Sequence, residues 1–136
     1  MKIVLDTNVL ISGIFWGGHP KKILEMVVKG TVKLYATESI VKEYFRIIEK
    51  IGKKNPSIVN EWKMLLLDLL NIVEATEEIS ICRDEYDDMF IECAVACGAK
   101  YIVSGEELLV LEKYREIQII TPKKYLEMKN EMAWLS

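Results

Sequence analysis

Lys2-Ile3-Val4-Leu5-Asp6-Thr7-Asn8 opens the chain with a short apolar run that ends in an acid and two polar turn formers. Continuous apolarity over so few residues, without alternation, reads as a β-strand buried on both faces. Such strands belong to parallel sheets covered by helices, so this opening predicts the class of the fold. Tyr101-Ile102-Val103-Ser104-Gly105-Glu106 repeats the design late in the chain: a second buried-type strand running into small polar residues and an acid.

The segments between and around these two runs alternate in kind. Pro20 opens a helix with Ile23, Leu24, Val27 and Val28 on one face, and Gly30 closes it. Val32, Leu34 and Ala36 alternate with Lys33 and Tyr35, which predicts a strand with one wetter face. Thr37 or Ser39 caps the next helix, whose stripe is Ile40, Val41, Tyr44, Phe45, Ile48 and Ile51, ending at Gly52. Asn55-Pro56 starts another helix through Trp62, Leu65, Leu66 and Leu69, and Asn71 to Thr76 reads as a short strand. Asp84 or Asp87 caps a helix to Cys97 that is apolar almost all round and so packs deeply; Gly98 terminates it. A short helix from Leu108 to Tyr114, a strand from Ile117 to Ile120 and a helix from Pro122 to near Trp134 complete the reading. Alternating β and α with short links predicts a single α/β domain over residues 1–136, with a mostly parallel central sheet of about five strands flanked by helices.

Composition narrows the function classes. With 136 residues, 51% hydrophobic and 29% charged, the chain is a globular domain able to bury its own core. A net charge of −3 counts against a nucleic-acid binder, which usually carries a basic surplus. That objection weakens if acids gather around a cation. The apolar stretch from Met64 to Val73 is interrupted by Asp68 and Asn71 and is too short to span a bilayer. No secretory signal is visible, and the expectation is a cytoplasmic protein without membrane contact. The three cysteines form no C-x-x-C pair and His19 is the only histidine, which argues against a Cys/His zinc site. The cysteines read as small buried residues in a reducing compartment.

In open α/β sheets ligands bind beyond the carboxyl ends of the strands, near a switch in strand order. Both buried strands deliver an acid at that end, Asp6 and Glu106. Asp6 has a purely structural alternative as an Asx turn or helix N-cap, although Thr7 or Asn8 could cap alone. Glu43 falls at the rim of its helix's apolar stripe, near Ile40 and Ile47, where it is either a surface acid beside Lys42 and Arg46 or a carboxylate facing a cleft. Asp88 ends the run Asp84-Glu85-Tyr86-Asp87-Asp88. The helix dipole accounts for one or two of these acids, while so many like charges repel unless solvated or bridged by a cation. Glu106 and Glu107 have a comparable alternative as first-turn acids. Converging carboxylates suit hard divalent cations such as Mg²⁺ and Mn²⁺, which activate water against phosphodiesters.

These residues carry a resemblance. Ile3-Val4-Leu5-Asp6-Thr7-Asn8-Val9-Leu10-Ile11-Ser12, Ser39-Ile40-Val41-Lys42-Glu43-Tyr44, Cys82-Arg83-Asp84-Glu85-Tyr86-Asp87-Asp88-Met89-Phe90-Ile91 and Ala99-Lys100-Tyr101-Ile102-Val103-Ser104-Gly105-Glu106, with Ile119-Ile120-Thr121-Pro122 after them, resemble a PIN domain in this order and spacing. The likeness is to the short prokaryotic PIN proteins of toxin–antitoxin systems, with their three-layer α/β/α fold. It implies a Mg²⁺- or Mn²⁺-dependent endoribonuclease with Asp6, Glu43, Asp88 and Glu106 as metal-binding and catalytic acids. Thr7 or Asn8 would organise the first loop, with Ser104 in support. An RNA substrate, a cognate antitoxin and a homodimer are implied with it. One departure stands out: the family usually has Thr-x-Asp where this chain has Ser104-Gly105-Glu106, and Glu107 is a possible substitute.

Lys21, Lys22, Arg46, Lys50, Lys53 and Lys54 are candidates for an RNA path, or else solvated helix faces. Trp16 is a candidate base-stacking residue, or else a core or dimer contact, and Trp134 and Leu135 are candidates for a dimer contact or simple packing. Two other classes remain to be weighed. A haloacid-dehalogenase-like phosphatase requires Asp-x-Asp where Asp6-Thr7-Asn8 stands, and a receiver domain requires an Asp within residues 47–60, which hold none. A non-catalytic RNA- or protein-binding module on the same fold predicts no cleavage even with Mn²⁺.

Overall fold

The two apolar runs lie side by side at the middle of a six-stranded sheet. The computed structural model describes residues 1–82, 84–105 and 111–135, the side chains at 85, 86 and 132–135 aside. Its elements run β1 (Lys2–Leu5), α1 (Thr7–Phe15), α2 (Gly18–Val28), β2 (Lys33–Ala36), α3 (Glu38–Ile51), α4 (Pro56–Leu69), β3 (Asn71–Ile72), α5 (Glu85–Cys97), β4 (Tyr101–Val103), β5 (Lys113–Tyr114), β6 (Ile117–Ile120) and α6 (Pro122–Leu135). The strand order is β3-β2-β1-β4-β6-β5. All neighbours pair parallel except β5, which closes the β6 edge antiparallel.

Parallel pairing places the carboxyl ends of β1, β2, β4 and β6 along one edge of the sheet. After β1 the chain moves to β2 on one side, and later returns to β4 on the other. The switch in strand order therefore lies between β1 and β4. Ile3, Val4 and Leu5 of β1 and Ile102 and Val103 of β4 are fully buried. α5 packs across β1, β2 and β4 with α3 beside it, while α2 packs against α6. Lys2 Nζ donates to the Cys97 carbonyl at 3.0 Å, which pins the end of α5 to the amino edge of the sheet. The beginning of α5 therefore lies toward the carboxyl edge, where α1, α3 and α6 also start.

The structure corrects the sequence reading in three places and settles a fourth. The turn expected after β1 is a full helix, α1, whose Val9, Leu10 and Ile11 are buried together; consecutive apolar residues in a short helix conceal its period. α2 begins at Gly18, two residues before Pro20. Lys113 and Tyr114, assigned above to a short helix from Leu108, instead form β5, paired with Gln118 and Ile117; Leu108 itself lies outside the described residues. The sheet has a sixth strand for that reason. The choice left open at the start of α3 falls on Thr37, whose Oγ1 accepts from Ile40 N at 3.4 Å, while Ser39 is exposed.

Two glycines are set by geometry. Gly98 holds φ +72° just past α5, a conformation that side chains with a Cβ rarely adopt. Gly13 lets α1 and α2 approach closely: a Cβ there would lie 2.6 Å from Leu24 Cδ1 and 3.0 Å from the Pro20 carbonyl oxygen. Because one of the obstructing atoms is backbone, Gly13→Ala is expected to destabilise the fold by about 1–3 kcal/mol, despite alanine's better helix propensity. Chemical denaturation of the two proteins checks this, with a lower midpoint at unchanged slope as the expected result.

Candidate active site

At the switch point the chain leaves β1 through Asp6, and the Asp6 carboxylate gathers three donors. Oδ1 accepts from Val9 N at 2.9 Å, capping α1. Oδ2 accepts from the Ser104 hydroxyl and from Gly105 N at 3.1 Å. The side chain thus ties the exit of β1, the first turn of α1 and the exit of β4 to one point. Asp6 N donates to the Val103 carbonyl at 3.1 Å, extending the β1–β4 ladder up to that point. Asp6 performs the cap itself rather than leaving it to Thr7 or Asn8. A carboxylate offers about four lone-pair sites, and the donors among the described residues use three of them.

Thr7 follows with a buried Oγ1 that has no hydrogen-bond partner among the described residues. A buried hydroxyl left without a partner is costly and calls for an explanation. Ser104 is fully buried and stands where its hydroxyl meets Asp6. Beneath them Tyr44 of α3 is fully buried and donates its hydroxyl to the Leu5 carbonyl. Burial, followed by the nearby Cys93 and Asp6 charges, pushes the Tyr44 phenol well above its ordinary range, so it stays a donor. Because Glu43 is its neighbour in the chain, this bond fixes the helix bearing Glu43 to the strand that delivers Asp6.

Glu43 is 21% exposed at its side chain and engaged by Arg46 through both oxygens, at 2.8 and 3.2 Å. Asp88, in the first turns of α5, is only 6% exposed. Its Oδ1 accepts from Cys82 N at 2.8 Å and Ile81 N at 3.1 Å. One turn on, Glu92 accepts from Ile79 N at 2.8 Å. Two acids of α5 therefore strap the segment 79–82 onto the helix. Burial works to raise the Asp88 carboxyl, but the bonds from the Cys82 backbone and thiol and from Ile81 outweigh it and hold the group below the usual value of 3.8. The Cys82 thiol is pushed up to about 12 by burial and by Asp88, so it too remains a donor.

The structure brings Asp6, Thr7, Ser104 and Tyr44 together, with Asp88 on a helix that begins at the same edge. Asn8 is exposed on α1. Glu106 and Glu107 lie outside the described residues, as do the side chains of Trp134 and Leu135. Among the described residues, no three His, Cys, Asp or Glu side chains are grouped so as to hold a metal ion. Three features escaped the sequence. The Tyr44 hydroxyl was hidden in an apolar stripe, Glu92 looked like one more acid on a helix, and the Gly105 amide gives no signal in the residue type.

Linkage gives Asp88 a testable consequence. A depressed carboxyl binds fewer protons folded than unfolded, so its stabilising contribution is present above the ordinary value of 3.8 and is lost as pH falls through the folded value. Asp88→Asn keeps an acceptor oxygen but does not titrate. Metal-free wild type is expected to lose stability more steeply than Asp88→Asn below about pH 4. Thermal melts at a series of pH values check this, and parallel curves would contradict it.

Comparisons with known proteins agree with this architecture. A family model described as PIN domain matches residues 2–107. An uncharacterized protein of Methanocaldococcus jannaschii is 31% identical over 142 aligned positions, covering 93% of this chain and 90% of that protein. Among solved structures, the crystal structure of VapBC2 from Rickettsia felis bound to a DNA fragment from their promoter contains a chain that superposes with a TM-score of 0.61. The identity is 15%, with 88% of this chain and 97% of that chain covered. At that identity the likeness concerns the fold.

Proposed function

The chain belongs to the PIN domain family, and from that premise we propose that it is a Mg²⁺- or Mn²⁺-dependent endoribonuclease, a single domain over residues 1–136 that serves as the toxin of a toxin–antitoxin pair. The observation that carries this reading is the Asp6 carboxylate, held by Ser104 and Gly105 at the switch point of the sheet and followed by the Thr7 hydroxyl, which has no partner among the described residues. Family membership also replaces the phosphatase and receiver alternatives.

The donor set suits a hard cation. Asp6 retains a lone-pair site, Asp88 directs both backbone bonds to one oxygen, and Thr7 adds a neutral oxygen. Mg²⁺ commonly uses only one or two carboxylates together with waters and substrate phosphate, so a three-acid cage is not required. Asp6 and Asp88 would hold the ion, with Glu43 and Glu106 as the further acids. When bound, it would supply Lewis acidity and a more acidic water. The chain's own part is to place those carboxylates rigidly: Ser104 and Gly105 orient Asp6, Cys82 and Ile81 orient Asp88, and Tyr44 sets α3 against β1. The Arg46 guanidinium on Glu43 would turn to a phosphate once that acid is drawn toward a cation.

The antitoxin partner is proposed from the family resemblance and is supported by the fold shared with a VapBC2 chain. A homodimer is proposed on the same basis, with the exposed Met64 and Leu67 of α4 as candidate contacts. Among the described residues no helix is long and apolar enough to cross a membrane, and a cytoplasmic site of action is part of the proposal. A second reading, a non-cleaving RNA- or protein-binding module, is favoured by one observation: both oxygens of Glu43 are occupied by Arg46.

RNA cleavage with Mn²⁺ separates the two readings. Asp6→Asn and Asp88→Asn are each expected to lower the rate by more than about 100-fold, and Ser104→Ala by about 10–100-fold as the loss of an orienting partner. Circular dichroism should show all three folded. Cleavage at wild-type rate by both Asn variants would exclude these acids from the reaction, and absence of cleavage by wild type would favour the binding module.

A further inference from the structure

A second site is outlined away from the acids, where α2 meets α6. His19 and Lys22 on the first turns of α2 face Lys123, Leu126, Glu127 and Asn130 of α6 across a groove of about 360 Å³. Three of its six lining side chains are basic, on a chain whose net charge is −3. Both helices also begin here, and α2 has no side-chain cap: its N-cap is Gly17. The dipoles of the two helices add positive potential to that of the side chains. α6 starts directly after β6, so Lys123 stands at the same sheet edge as Asp6 and Ser104, two strands from β1 in the order β1-β4-β6. Trp16, 69% exposed, sits on the turn that leads into α2. An exposed indole three residues before His19 of a basic groove gives the composition of a single-strand platform, with phosphates on cations and a base on the ring.

We propose that the α2–α6 groove and Trp16 bind single-stranded RNA, taking phosphates on Lys22, Lys123 and His19 and stacking a base on Trp16, so that the strand is held beside the switch point. This rests on the ribonuclease reading and adds to it the path of the substrate. Lys33 and Lys100 provide an internal control. Lys33 begins β2 and Lys100 directly precedes β4, so both stand at the amino edge of the sheet, opposite the edge where Lys123 follows β6.

The test measures binding of a fluorescent single-stranded RNA by anisotropy, in EDTA so that nothing is cleaved, across a range of salt. The variants are Lys22→Gln/Lys123→Gln, Lys33→Gln/Lys100→Gln and Trp16→Ala; all replaced side chains are exposed, and the two double variants change net charge equally. The groove variant is expected to bind about 10–100-fold more weakly, with a salt slope shallower by about 1.4, roughly 0.7 for each lost phosphate contact. The Lys33/Lys100 variant is expected to match wild type. Trp16→Ala is expected to bind more weakly with the slope unchanged, as loss of stacking requires. Equal affinity and slope in the two double variants overturns the site, as does wild-type binding by Trp16→Ala. Mn²⁺-dependent cleavage by wild type, measured in parallel, distinguishes failure of the groove from failure of the ribonuclease reading: cleavage with an indifferent groove variant discards the groove alone.

Discussion

One carboxylate joins three parts of this molecule that are remote in sequence. Asp6 receives the Val9 amide of its own helix, and the Ser104 hydroxyl and Gly105 amide from the exit of a strand almost a hundred residues later. Its position follows from the strand order, because the connections leave β1 and β4 in opposite directions at that point. A side chain at that place must satisfy the amides that the diverging chain leaves open, and an ionised acid does so more strongly than a neutral group. The Tyr44 hydroxyl on the Leu5 carbonyl and the Asp6 amide on Val103 brace the same point from below.

The same arrangement shows how a structural role and a chemical one coexist. Asp6 caps a helix and Asp88 anchors a strap, so either could be read as architecture alone. Among the described residues their bonds leave acceptor capacity unused, however, and both acids stand toward one edge of the sheet. Rigid orientation by neighbouring donors is also what a metal-binding acid needs, since a ligand already held in place loses little freedom on binding. Glu43 is different. Its two bonds to Arg46 run along the helix surface, and its use would require that pair to open.

Much of the fold was legible in the chain. Runs such as Ile3-Val4-Leu5 and Tyr101-Ile102-Val103 suit burial on both faces of a covered parallel sheet, and the strand-end rule then pointed to Asp6 and Glu106, while Ser104 entered only through the family resemblance. What escaped notice had physical reasons. α1 is too short and too apolar to display a period, and β5 is a two-residue strand defined by its partner β6 rather than by its own residues. The donors to Asp88 and Glu92 are backbone amides of residues 79–82, and any residue type would have supplied them. Tyr44 counted correctly as an apolar stripe position, but its hydroxyl acquires meaning only when Leu5 is placed beneath it.

The central claim is that the switch point between β1 and β4 is a divalent-cation site built on Asp6. Diffraction from crystals grown with Mn²⁺, collected near the manganese edge, tests it most directly. The account predicts an anomalous peak in contact with the Asp6 carboxylate at the carboxyl edge of the sheet, absent from crystals of Asp6→Asn. Anomalous density confined to other parts of the surface, or a peak unchanged in that variant, would contradict it.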